Sequence, residues 1–323
     1  MQIGLDEVVL SQEQPEREAL SSQGQEARNP RERVWRLVHG LAVLVLLGAA
    51  LGLRVYRIEE EALWYDEICS FRYLDEGDLN SFVRAQQAES SPMVPLYFVL
   101  EYGWWRAFGP SALGLRYLSV VIGMLTAVAL YALARHLFGP TAGLVALLFF
   151  ALSPVHIRYS QEIRMYPLMF LLAVVSMHAF VAYTRSRNPV HTAVNLLANG
   201  ALVWCHLLTP LFLMAQAGHL LLCRPLDFRR TVAWFVEHTA LGIGFACWIA
   251  TLEPDHLAAA VEWVGQPDLL QLLKAISSAH TYAGAGLGRA PWLYGIFLLP
   301  LFVMGLWARG IIGTRRDGEL SSA

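Results

Sequence analysis

Residues 112–136 read ALGLRYLSVVIGMLTAVALYALARH, and residues 140–157 read PTAGLVALLFFALSPVHI. A helix rises about 1.5 Å per residue, so roughly 20 apolar residues cross a hydrocarbon core about 30 Å thick. Both stretches fit that requirement, and scanning outward at the same length finds eight such runs. They lie near 35–55, 112–136, 140–157, 165–184, 190–206, 208–223, 231–252 and 291–309. The fold class this predicts is all-α: a polytopic transmembrane helix bundle with external loops. The composition agrees, because 56% of the 323 residues are hydrophobic and only 15% are charged.

Charge excludes one class of partner. The 24 basic and 26 acidic side chains leave a formal net charge of -2, so no global basic field attracts nucleic acid. The four cysteines, Cys69, Cys205, Cys223 and Cys247, are far apart and form no C-x-x-C pair, which excludes a disulfide scaffold.

Residues 1–34 are polar and lack an apolar face, which predicts a disordered tail. The first apolar run does not open the chain and follows Arg28, Arg31 and Arg33, so it reads as a retained signal anchor rather than a cleaved signal. Basic residues flank alternate ends of the spans: Arg31, Arg33 and Arg36; Arg135 with His136; Arg185 and Arg187; Arg224, Arg229 and Arg230; Arg309, Arg315 and Arg316. By the positive-inside rule that side is the cytoplasm. Both termini, including the tail 311–323, are then cytoplasmic, and the domain 35–310 exposes segments 56–111, 157–164 and 253–290 on the outside. The fifth and sixth runs are short, and a re-entrant pair would read the same way. PLYFVLEYGWWRAF at 95–108 is too short to cross and predicts an interfacial helix, with Trp104 and Trp105 at headgroup depth.

Chemistry concentrates in two external places. LWYDEICS at 63–70 sets the adjacent carboxylates of Asp66 and Glu67 among aromatics beside Tyr65. Adjacent acids repel, so one of them needs a raised pKa, a cation or a basic partner, as a general base or ligand anchor would. SPVHIRYSQEIRMYP at 153–167 packs His156, Arg158, Gln161, Glu162 and Arg164 into the mouth of a helix hairpin. Ionisable groups there are costly unless they face a wet cavity or each other. The bland alternatives are a solvated acidic pair and arginines that snorkel to headgroups. A divalent cation bridging Asp66, Glu67 and a phosphate is possible, although no third ligand stands at readable spacing. His156 and His206 suit helix-end hydrogen bonds as well as ligand contacts, and His178, His219 and His238 suit packing.

WYDE at 64–67, PLYFVL at 95–100, LGLRYLSVVIG at 113–123, SPVHIRYSQEIRMYPL at 153–168 and the WCHLL…LFLMAQ pattern at 204–216 together resemble glycosyltransferase family 39. That group includes the protein O-mannosyltransferases and bacterial aminoarabinose transferases, membrane enzymes of the GT-C fold. The resemblance covers residues 35–225 and implies a sugar donor linked to polyprenyl phosphate. The acceptor would be a lipid, glycan or protein hydroxyl on the outer face of the cell membrane. It also implies an inverting displacement, with Asp66 similar to the catalytic base and Glu67 to the companion that shapes the site. Arg164 would hold the donor phosphate with Arg158 behind it, and Gln161, Glu162, His156 and Tyr65 would support the substrate site. Two departures stand out. Met93 and Val94 occupy the positions where relatives carry histidine and proline, and relatives run on for several more spans, which predicts a short form or a fragment. A lipid-linked sugar flippase and a non-catalytic relative are the competing readings. The flippase would place charges or helix breaks near mid-membrane.

Overall fold

A computed structural model describes residues 30–60, 62–75, 77–88, 94–186, 188–207, 209–223 and 228–252. The tail expected over 1–29, the external segment 253–290, the eighth span 291–309 and the tail 311–323 lie outside the described residues. Among the described residues there are eleven helices and no strand, so the all-α expectation holds.

The chain divides into two compact units, Met1–Gly48 and Ala49–Ala323. In the first, the described residues form most of α1 (Pro30–Val55), a helix whose Leu37, Leu41 and Leu44 are exposed, as lipid-facing residues would be. The helix begins at Pro30, where the fixed φ of proline suits a first helical position, so the last residues assigned to the disordered tail are helical.

The second unit holds the remaining helices: α2 (Tyr65–Phe71), α3 (Leu79–Ala88), α4 (Pro95–Phe108), α5 (Ala112–Phe138), α6 (Pro140–Leu152), α7 (Pro154–Tyr159), α8 (Tyr166–Arg185), α9 (Pro189–Val203), α10 (Pro210–Cys223) and α11 (Phe228–Ile249). Four helices, α1, α5, α8 and α11, are long and apolar enough to cross a membrane. The other three expected spans are shorter. α6 has 13 residues, α9 has 15 and α10 has 14, about 20 Å each, so none reaches across the hydrocarbon core by its own length. Local chemistry sets these lengths. Gly139 has φ 93, a conformation that L side chains rarely adopt, and it ends α5 just before Pro140. Ser153 is extended and precedes Pro154, which splits the expected 140–157 run into α6 and α7. Pro189 and Pro210 restart the chain as α9 and α10.

α4 buries one face in the protein. Its Tyr97, Phe98 and Trp105 are buried in a core with Leu115, Leu118 and Ile122 of α5, Ile163, and Leu168 of α8. Trp105 is 6% exposed, and Trp104 donates its indole N–H to Gly114 O at 2.8 Å. The two tryptophans therefore pack and anchor within the protein. Leu96 N donates to Trp204 O at 3.0 Å and ties the start of α4 to the end of α9.

Candidate functional site

α2 carries the acidic pair in its first turn, where carboxylates oppose the positive end of the helix dipole. Consecutive helical residues project about 100° apart, and here the two acids part company. Glu67 turns inward and is 1% exposed. Its Oε2 accepts from Trp64 N at 3.3 Å, the reach-back of an N3 glutamate to the residue before the helix. Its Oε1 accepts from Ile163 N at 2.9 Å, and Arg116 of α5 closes on both oxygens at 3.4 and 3.2 Å. Arg116 in turn donates to Ile58 O at 2.7 Å. One buried carboxylate thus joins the loop after α1, α2, α5 and the 160–165 turn.

Asp66 turns outward, and its side chain is 35% exposed. Arg164 spans both parts of this residue: Nη2 lies 3.2 Å from Oδ2, and Nη1 donates to Asp66 O at 3.4 Å. The guanidinium lies 6.0 Å from the ring centre of Trp64 and 5.6 Å from that of Tyr166, with a side chain 10% exposed. Aromatic faces on two sides limit its orientations. The acidic motif and the hairpin motif therefore meet at one end of the helices.

The 160–165 turn is held from several directions. Gln161 Nε2 donates to the carbonyls of Leu53, Arg54 and Tyr56 at 3.4, 3.0 and 2.9 Å, and so caps the C-terminal end of α1. It supports the site by fixing the turn. Glu162 is 4% exposed and takes Arg158 Nε on Oε1 at 2.7 Å, while its backbone carbonyl accepts from Ser119 Oγ at 2.6 Å. Burial pushes the Glu162 carboxyl above the usual carboxylate range, and Arg158 opposes that rise. Arg158 is 41% exposed, so part of its charge stays available at the surface. His156 is sandwiched between the rings of Phe150 and Phe170, at 4.5 and 4.6 Å, and braces the hairpin. Tyr65 is 73% exposed at the start of α2. His206 faces Tyr166 at 6.0 Å between ring centres, and burial, with the charge of Arg164 adding to it, lowers its pKa.

The cation expectation meets a geometric obstacle. Glu67 already bonds Trp64, Ile163 and Arg116, while Asp66 faces a different arginine, so the two carboxylates do not form a chelate. Among the described residues no group of three or more His, Cys, Asp or Glu side chains converges on a metal-sized space. The same geometry takes Glu67 out of reach as a nucleophile, because both its oxygens are buried and bonded.

Arg116, Arg54 and Glu101 escaped the reading of the sequence. Arg54 has no accessible surface and donates to Ala50 O at 3.0 Å, Phe150 O at 3.2 Å and Ser160 Oγ at 3.2 Å. A Cβ on Gly123 would collide with Ser160 Oγ, so the glycine lets α5 approach this joint. All three residues are lone charges within or beside apolar runs, a signal that marks functional or joining residues in membrane helices.

A family model described as dolichyl-phosphate-mannose-protein mannosyltransferase matches residues 91–252, half of the chain. The match includes Arg116 and the whole 153–168 hairpin and begins after the WYDE stretch. No curated protein sequence matches the chain. With a helical membrane architecture and a matching hairpin motif, the chain belongs to the dolichyl-phosphate-mannose-protein mannosyltransferase family.

Proposed function

We infer that this membrane glycosyltransferase of the GT-C type moves a sugar from a polyprenyl-phosphate donor to a hydroxyl on the outer face of the cell membrane, with Asp66 as base and Arg164 as phosphate clamp. The observation that carries this reading is the division of labour within the acidic pair: Glu67 is buried and saturated, whereas Asp66 is a third exposed and bound to a cation that suits phosphate.

The chemistry follows from those groups. The acceptor oxygen attacks the anomeric carbon as its proton passes to Asp66 Oδ, and the bond from that carbon to the phosphate oxygen breaks on the opposite face. The electron pair leaves with the polyprenyl phosphate, and a single base with no second carboxylate in reach among the described residues gives inversion. Negative charge grows on the leaving phosphate, where the planar, always protonated guanidinium of Arg164 can hold two oxygens at once. Arg158, partly exposed beside Glu162, adds positive charge nearby. Arg164 starts out bound to Asp66, so a donor that takes over the guanidinium also releases the carboxylate for the acceptor hydroxyl. Donor binding then precedes base function.

The flippase reading finds less support. The ionisable groups that meet here sit at helix ends, and the polar side chains Ser176, Asn195, Asn199, Gln216 and His238 inside the helices bond to one another, with Glu237 of α11 the acid that lies within a span.

Arg164→Lys tests the clamp. Lysine keeps the charge and snorkels as well as arginine but loses the bidentate fork. The substitution should leave insertion and folding normal and cut transfer by roughly 10-fold or more, the scale of losing a charge-assisted hydrogen bond. Transfer at the parent rate would return Arg164 to the interface residues.

A further inference from the structure

The acid in the middle of PLYFVLEYGWWRAF has no accessible surface. Neither oxygen of the Glu101 carboxyl has a hydrogen-bond partner, Nε of Arg164 is buried without one as well, and the buried Tyr97 hydroxyl, one turn earlier on α4, stands beside Ser119. These atoms share one neighbourhood. Tyr97 packs in the core with Ile163 and Met165, the residues on either side of Arg164. Ser119 of α5, bonded to Glu162 O, stands beside Tyr97, and the Arg164 charge acts on both Tyr97 and Glu101.

Buried polar groups in folded proteins are almost always satisfied, and an acid enclosed by apolar side chains costs stability that a leucine would not. An ionised carboxylate here would pair with Arg164 and cancel the charge that a donor phosphate requires. A neutral one leaves that charge intact. Burial pushes the Glu101 carboxyl well above the usual carboxylate range, with Arg164 pulling the other way; the Tyr97 phenol feels the Glu101 charge and has the Ser119 hydroxyl and the Cys205 thiol as its own neighbours.

We propose that Glu101 is a positioning residue for Arg164: a neutral buried carboxyl that, with Tyr97, takes the Nε–H through one bridging water and keeps the outer edge of the guanidinium turned toward the donor phosphate. The proposal rests on the reading of Arg164 as the clamp. It explains why an acid persists where packing alone favours leucine, and it separates stability from affinity. Removing the acid should relieve the core while loosening the clamp.

The test uses the purified full chain in nanodiscs, with farnesyl phosphate as the probe, and follows binding and thermal stability together in Glu101→Leu, Glu101→Gln and Arg164→Gln. Glu101→Leu should bind farnesyl phosphate about tenfold or more weakly while melting no lower than the parent. Glu101→Gln, neutral and of the same shape, should recover most of that loss, to within about threefold of the parent. Arg164→Gln should bind at least as weakly as Glu101→Leu. If Arg164→Gln weakens binding and Glu101→Leu does not, the proposal alone is overturned; if Arg164→Gln binds normally, the clamp falls and the proposal with it. Loss of stability alongside affinity in Glu101→Leu would make the residue merely structural, and a Gln variant as weak as the Leu variant would overturn the neutral carboxyl.

Discussion

Two acids that are neighbours in sequence differ here in nearly every physical respect. Glu67 is 1% exposed and bonded to three separate parts of the chain, whereas Asp66 is a third exposed and meets a single arginine. Removing one partner from a buried ion pair leaves the other charge uncompensated, so Glu67→Ala should destabilise the protein by about 3–5 kcal/mol. Asp66→Ala should cost less, about 1–2 kcal/mol, since its carboxylate is a third exposed and solvent screens part of the attraction to Arg164. Equilibrium unfolding of both variants in detergent checks this, and equal losses would refute the division. The sequence alone indicated that one of the pair needed a raised pKa, a cation or a basic partner. It did not reveal which arginine serves which acid, because Arg116 and Arg164 lie 49 and 98 residues away and their directions depend on α5 and the 160–165 turn.

At the scale of the elements, hydropathy located the helices well and misjudged their lengths. The runs at 112–136 and 165–184 appear as α5 and α8 almost unchanged. The run at 140–157 does not, because apolar averaging passes over Ser153-Pro154, where backbone geometry breaks the helix. The polar residues that join α8 to α11 were equally hard to read. Asn199 donates to Gln216 Oε1 at 3.0 Å and meets His238 Nε2 at 2.8 Å, and it also bonds Ser176. Asn195 donates to Ser176 O at 3.2 Å and accepts from the Trp234 indole at 3.1 Å. The His238 ring is fixed by this arrangement, with Nδ1–H donating to Trp234 O at 2.8 Å and Nε2 accepting from Asn199. Each side chain taken singly looks like ordinary helix packing, and only the juxtaposition of four helices makes them a network. Interhelical hydrogen bonds in membranes contribute modestly, so Asn199→Leu, which orphans several at once, should destabilise the bundle by about 1–2 kcal/mol. Reversible unfolding in mixed micelles measures it, and an unchanged midpoint would show that the network adds nothing to helix association.

For the molecule as a whole, the site lies where the segment after α1 meets the hairpin between α6 and α8, at one end of the helices. The family match spans 91–252 and so includes the arginine side of the site, while Asp66 lies before it and is tied to the matched region by the ion pair to Arg164 and by Glu67 through Arg116. The central claim is that Asp66 is the base that activates an acceptor hydroxyl against a polyprenyl-phosphate sugar. Parent and Asp66→Asn proteins, each reconstituted in nanodiscs with a panel of radiolabelled polyprenyl-phosphate sugars and hydroxyl acceptors, should differ in one respect. The parent should release polyprenyl phosphate as it forms glycoside, and the variant should still bind donor while transferring roughly 100-fold more slowly or worse, the usual scale of losing a general base. Transfer by Asp66→Asn at the parent rate would contradict the account, as would a parent protein that turns over no donor in the panel.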